Sequence, residues 1–277
     1  MNYFKGSGFS FPLGEKTYIM GILNITPDSF YDGGRYNSLH LAAEHARLME
    51  SEGADIIDIG ANSTNPNAVI LSEDEELAVI KEFLIPVVKN INVPVSVDTF
   101  YPAVAEYCLG NGVSIINDVS GRRDKKMTEL VKAYGAGLVV MHNPLFSSKE
   151  TGDYSSDGGV VKSIRSFFAS SLEYYEKAGV NKEQLLFDTG IGFAKTNADN
   201  LEVIKRLGKI KLPDTALLTA LSMKRVTSFY SGAEGEDRLY PTLAANVLSV
   251  SGGTDFVRVH AVKEAALSLK MADALLR

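Results

Sequence analysis

Short apolar runs recur eight times along the chain, and most stop at a polar residue that a buried strand has no use for. In order they are Tyr18–Leu23 ending at Asn24, Asp55–Ile59 followed by Gly60, Val93–Val97 ending at Asp98, and Ser114–Ile116 ending at Asn117. Then come Gly137–Met141 ending at His142, Gln184–Phe187 ending at Asp188, Thr215–Leu221 leading to Ser222 and Lys224, and Phe256–Val259, which carries Arg258 and precedes His260. Between them lie stretches with helical spacing of apolar residues: Leu39–Ser51, Glu73–Lys89, Pro102–Leu109, Lys125–Tyr134, Val160–Ala178, Ala198–Leu207, Tyr240–Val250 and Val262–Leu276. Ser72 reads as a helix cap, with acids in the first turn after it where the helix dipole favours them. This alternation predicts an α/β fold, a (β/α)8 barrel of parallel strands, whose site gathers at the C-terminal strand ends. The segment Phe9–Tyr18, with Gly14 at its turn, reads as a short N-terminal hairpin covering the barrel's bottom.

The chain has 277 residues, close to the roughly 250 that such a barrel requires. With no linker or low-complexity tract, residues 1–277 read as one domain. A net charge of −6 argues against non-specific nucleic-acid binding, which depends on an excess of Lys and Arg facing phosphates. Cys108 is the single cysteine, so no intrachain disulfide forms, and its helix-flank setting points to packing. No apolar stretch approaches the roughly twenty residues needed to span a bilayer. The first residues lack the basic start and apolar core of a signal peptide, so no membrane association and a cytoplasmic location are expected.

Two loops stand out. Asn24-Ile25-Thr26-Pro27-Asp28-Ser29-Phe30 follows the first strand, and Gly60-Ala61-Asn62-Ser63-Thr64-Asn65-Pro66 follows the second. Either alone is an ordinary turn composition. On successive strands of one barrel face, their hydroxyls and amides favour a polar ligand with phosphate oxygens to bind.

The stretch MGILNITPDSFYDGG at 20–34 resembles the first signature of dihydropteroate synthases. SVDT at 96–99, IINDVSG at 115–121, DTGIGFAK at 188–195 and RVHAVKE at 258–264 resemble further blocks of that family, in its order. The resemblance implies a TIM barrel that joins 4-aminobenzoate to 6-hydroxymethyl-dihydropterin pyrophosphate, releasing pyrophosphate and making a folate precursor. It implies pterin contacts by Asp98, Asn117, Asp188 and Lys224, and this suits their chemistry, because a carboxylate accepts two adjacent N–H groups of an aminopyrimidinone edge. It also implies pyrophosphate binding by Asn24, Thr64, Arg258 and His260, an aminobenzoate pocket including Thr64, Pro66, Phe193 and Arg225, and Mg2+ reached by Asn24. Small-molecule substrates and a homodimer are the implied partners. No nucleophilic side chain is demanded: as pyrophosphate departs, ring electrons stabilise the methylene carbon, and the protein positions the reactants and stabilises the departing charge.

Five positions depart from the family pattern. Asn65 stands before Pro66 where an arginine is usual, Met223 and Arg225 flank Lys224, Ala261 follows His260 in place of an aspartate, and Thr189 replaces a proline. The second-substrate neighbourhood is thus altered while the pterin set is intact. Arg225 either holds a carboxylate or points to solvent. A synthase, a pterin-binding paralogue without synthase activity and a methyltetrahydrofolate-using methyltransferase all remain open.

Overall fold

The computed structural model describes residues 2–25, 35–62, 70–147 and 149–277, with the backbone alone for 35–38. The chain opens with an antiparallel hairpin, β1 (Tyr3–Gly6) and β2 (Phe9–Pro12). Its turn lies at Ser7-Gly8 and not at Gly14; Gly14, with φ +92°, sits in the following turn that leads into the barrel. The hairpin was expected one strand too late because both glycines carry the same turn signal.

Eight parallel strands then close into a barrel: β3 (Tyr18–Asn24), β4 (Ile56–Gly60), β5 (Val95–Asp98), β6 (Ile115–Asp118), β7 (Gly137–Met141), β8 (Leu185–Asp188), β9 (Ala216–Thr219) and β10 (Phe256–Val259), with β10 pairing β3. Each of the eight apolar runs supplies one strand. β9 stops at Thr219 because Leu221 already accepts from the Lys224 amide in a turn. The surrounding helices are α1 (Arg35–Glu52), α2 (Glu73–Val88), α3 (Pro102–Leu109), α4 (Lys125–Tyr134), α5 (Val160–Ala178), α6 (Asn197–Lys205), α7 (Leu207–Ile210), α8 (Arg225–Ser231), α9 (Leu239–Ser251) and α10 (Val262–Leu276). The expected Ala198–Leu207 helix is broken at Arg206, where φ of −124° interrupts it, and α8 is an addition. The Ser72 cap forms, as a reciprocal pair with Glu75. Cys108 is buried on α3.

Period-two alternation decides which residues face the barrel axis. Inward-facing Tyr18, Met20, Ile56, Ile115, Val139, Leu186, Ala216, Leu218 and Phe256 pack with Phe4 and Phe9 of the hairpin into one cluster. Their outward-facing neighbours, such as Ile19, Ile57, Val97 and Ile116, pack beneath the helices. The hairpin closes the bottom with stacked rings: Phe4 meets Phe256 edge-on at 5.4 Å and Tyr18 stacks on Phe256 at 5.0 Å. Gly137 permits that approach, since a Cβ there would lie 2.8 Å from the Phe9 ring and 2.9 Å from that of Phe4.

Candidate active site

The same alternation, carried two residues further up each strand, turns polar. Asn24 pairs with Gly60, Gly60 with Asp98, and Asp98 with Asn117 across four adjacent strands, so these residues form one level at the barrel's mouth. Asp58 lies one inward step below Gly60, and Arg258 is level with Met20 on the neighbouring strand.

Arg258 organises the centre. Its Nε donates to Asp58 Oδ2 at 2.6 Å and its Nη2 to Asp98 Oδ2 at 2.9 Å. Asn117 Nδ2 donates to the same Asp58 oxygen at 3.0 Å. One half-buried guanidinium thereby ties three strands together, and the two carboxylates keep its proton bound against the cost of desolvation. Burial drives the Asp98 carboxyl up to about 7, Arg258 pulling the other way while Asp58 and Glu76 add to the rise. Asp58 Oδ1, Asn117 Oδ1 and Ser96 Oγ are buried without a hydrogen-bond partner among the described residues. Orphaned buried polar atoms are rare in folded proteins, and here they share one inward face of three adjacent strands.

Asp188, at the top of β8, is buried and accepts from the Gly190 amide at 2.8 Å. Gly190 is obligatory, because a Cβ would stand 2.1 Å from the His142 carbonyl oxygen. Burial raises the Asp188 carboxyl, opposed first by Lys224. Lys224 precedes α8 and donates to the Ile191 carbonyl at 2.5 Å, with its Nζ 5.1 Å from the Phe193 ring centroid. Burial brings its ammonium down to about 8, Asp188 and Asp98 holding it up and Arg258 opposing them. The four residues expected to meet the pterin thus converge on one mouth, linked by Arg258 on one side and by the Asp188–Lys224 attraction on the other.

At the rim, the His260 ring Nδ1 lies 2.9 Å from Ser222 Oγ, which also accepts from the His260 amide at 3.2 Å. His260 as a residue is exposed, yet its ring is desolvated by this docking. Desolvation first, then the cations of Arg258 and Lys224, hold it down at about 4, so it is neutral at pH 7. Asn24 is half-buried with its Oδ1 facing Gly60. Phe193 is half-buried and Arg225, the first residue of α8, is exposed. Thr64 and Pro66 lie outside the described residues.

The family model for pterin binding enzymes matches residues 20–260, most of the chain, from within β3 to just past β10. The chain belongs to the pterin binding enzyme family. A dihydropteroate synthase of Bacillus subtilis is 40% identical over 263 residues, covering 95% of this chain and 90% of the relative. Among solved structures, a dihydropteroate synthase from Clostridium difficile obtained in the presence of pteroic acid superposes with a TM-score of 0.89 at 40% identity, covering 96% of this chain and 99% of the other. The Xanthomonas albilineans dihydropteroate synthase with 4-aminobenzoic acid gives a TM-score of 0.90 at 32% identity, covering 99% and 98%.

Within this pterin-binding barrel, pattern reading missed several residues and misdirected one. Asp58 was overlooked because it sits inside an apolar run rather than at its end; a lone carboxylate sharing parity with Ile56 was the available signal. Lys195 was quoted only as part of a block, yet it is buried with its ammonium on the carbonyls of His142, Gly190 and Phe193 at 3.0–3.2 Å. His142 ends a strand as expected, but the odd parity turns its ring outward against Tyr154 and Phe167. Glu76, read as one of several helix-start acids, is fully buried.

Proposed function

We infer that this chain is a transferase that condenses 6-hydroxymethyl-dihydropterin pyrophosphate with 4-aminobenzoate, releasing pyrophosphate and making dihydropteroate for folate biosynthesis. The observation that carries the reading is the Asp58–Arg258–Asp98–Asn117 network, with its orphaned acceptors, facing Asp188 and Lys224 in one mouth. A flat heterocycle with adjacent N–H groups satisfies those acceptors. Asp98 and Asp188 accept from the ring edge as charge-assisted partners, Asn117 both donates and accepts, and Lys224 donates to the ring carbonyl or a ring nitrogen.

Pyrophosphate leaves over β10, where Arg258 and His260 share a face. Arg258 supplies the positive charge through guanidinium N–H groups not committed to Asp58 and Asp98. His260, neutral, supplies a hydrogen bond. The aromatic amine, already neutral, attacks the methylene carbon as its C–O bond to pyrophosphate breaks, and the proton the new C–N nitrogen sheds passes to the departing pyrophosphate or to water, so no general-base side chain is required. The aminobenzoate ring is placed beside Phe193, with Thr64 and Pro66 around it and Arg225 near its carboxylate.

Among the described residues no three His, Cys, Asp or Glu side chains are grouped to hold a metal. A Mg2+ fits best as a partner of the pyrophosphate, with the Asn24 amide oxygen, 3.9 Å from where a Cβ at Gly60 would stand, as its protein ligand. Bound there it would neutralise leaving-group charge. No helix among the described residues is long and apolar enough to cross a membrane, in keeping with a cytoplasmic enzyme. A homodimer through α9 and α10 accords with exposed Leu248, Leu267, Met271 and Leu275 on those helices.

The test is pyrophosphate release from the pterin substrate with and without 4-aminobenzoate. Acceptor-dependent release is expected. Pterin binding without it would make the chain a binding paralogue, and corrinoid-dependent methyl transfer a methyltransferase. Lys224→Ala should weaken pterin binding by calorimetry, and unchanged affinity would remove Lys224 from the site.

A further inference from the structure

Glu76 is an odd residue for its position. It lies in the first turn of α2, fully buried, on the same stripe as Ile80, Leu84 and Val87. Burying a carboxylate on a core-facing stripe costs stability that an apolar side chain of similar size would not. The cost is visible in its titration: burial pushes the carboxyl up to about 7, opposed by Thr99 and Asn62.

What Glu76 holds is the Asn62 side chain, whose Nδ2 donates to Glu76 Oε2. Asn62 in turn reaches the far end of its own loop: its Oδ1 accepts from the Leu71 amide at 2.8 Å. The Leu71 carbonyl is taken from the other side by the Tyr101 hydroxyl at 2.9 Å. Both stems of the loop between β4 and α2 are therefore pinned, nine residues apart, by one amide anchored on one buried acid. Thr64 and Pro66 belong to that loop by sequence.

We propose that Glu76, acting through Asn62, is a positioning residue that sets where the β4–α2 loop leaves the barrel and so governs use of the acceptor, 4-aminobenzoate, rather than the pterin. The proposal deepens the synthase reading and rests on it. Glu76 is buried beneath the loop; it fixes the stems between which Thr64 and Pro66 lie by sequence, while Asp98, Asn117, Asp188 and Lys224 stand on β5, β6, β8 and the turn before α8.

Steady-state kinetics, pterin calorimetry and hydrogen exchange at the Leu71 amide, measured on the whole chain and its variants, test it. Glu76→Ala and Asn62→Ala should each raise KM for 4-aminobenzoate about tenfold, the scale of a small misplacement. Pterin affinity should stay within about twofold and the double variant should be no worse than either single one, because the two act as one unit. The Leu71 amide should exchange faster in both. Glu76→Gln should restore all three readouts, since its Oε1 accepts from Asn62 Nδ2 without a charge. Equal losses of pterin and acceptor binding, additive effects, or an unchanged KM in a folded Glu76→Ala variant would overturn the clamp. Should Glu76→Ala fail to fold, Asn62→Ala, which leaves the core filled, decides alone. Absence of acceptor-dependent release by the wild-type protein would sink the synthase reading instead, and Leu71 exchange would still judge the clamp.

Discussion

The bottom and the mouth of this barrel are built from inward-facing residues of the same strands, one or two pleats apart, and they share almost no chemistry. At the bottom, Phe4, Tyr18 and Phe256 stack beneath Met20, Ile56 and Leu186 with the hairpin covering them, and the Tyr18 hydroxyl donates to the Pro12 carbonyl at 2.7 Å. At the mouth, Asp58, Asp98, Asp188, Lys224 and Arg258 crowd together around orphaned acceptors, and burial raises the Asp98 and Asp188 carboxyls and lowers the Lys224 ammonium. The difference shows a division of labour along each strand. The lower residues stabilise the fold, and the upper ones hold charges in a largely buried site where the unliganded protein gains little from them. Folding energy and binding chemistry are separated by a single 6–7 Å step of pleat, about two residues of rise.

Substitutions test whether the two ends are independent. The largest effect is expected at Asp58. Asp58→Ala strips Arg258 of its closest carboxylate, and loss of one member of a buried pair costs about 3–5 kcal/mol. Urea unfolding should show that loss together with collapse of pterin affinity. Phe4→Ala should cost about 3 kcal/mol through its cavity, with pterin affinity untouched; a loss of affinity there would mean that the two ends are not independent.

A smaller effect is expected from pH. Asp98 titrates near 7 because burial, Asp58 and Glu76 outweigh Arg258. A protonated carboxyl cannot accept two ring N–H groups, so pterin affinity should fall as pH drops from 8 to 6, and Asp98→Asn should flatten the profile. For folding the sign is reversed. A carboxyl whose folded pKa lies above the unfolded value of 3.8 stabilises the fold below that value, and the benefit is lost as pH rises through about 7. A ligand-free protein whose Asp98-dependent stability instead rises with pH would contradict the buried setting of the mouth.

The smallest effect belongs to Arg225, exposed at the start of α8. Arg225→Ser should shift affinity for 4-aminobenzoate by no more than about 1 kcal/mol, the range of an exposed ion pair, and spare the pterin. If both affinities stay put, Arg225 is a solvated bystander.

Much of the mouth was legible in the chain, and the reason is local. A strand's period of two and an apolar run's abrupt polar end are written within five or six residues, so Asn24, Asp98, Asn117 and Asp188 announce themselves, as does the lone cation Arg258 within its run, and the eight strands follow. The Ser72 cap was legible for the same reason. Which side chains meet is not written locally. Arg258 finds Asp58 across 200 positions and Asn117 finds it across 59, distances set only by closure of the barrel and the stagger of its strands. Glu76 and its neighbours Glu73 to Glu75 are indistinguishable as helix-start acids, and only packing of α2 against the barrel selects the one that is buried. Likewise His142 and Asp188 both end apolar runs, yet one step of strand parity turns the imidazole outward against Phe167 and the carboxylate inward to the site. The chain by itself determined the elements and most of the polar cast; long-range closure decided the partners, because hydrogen bonds and ion pairs depend on ångström-scale positions that no short stretch of sequence contains.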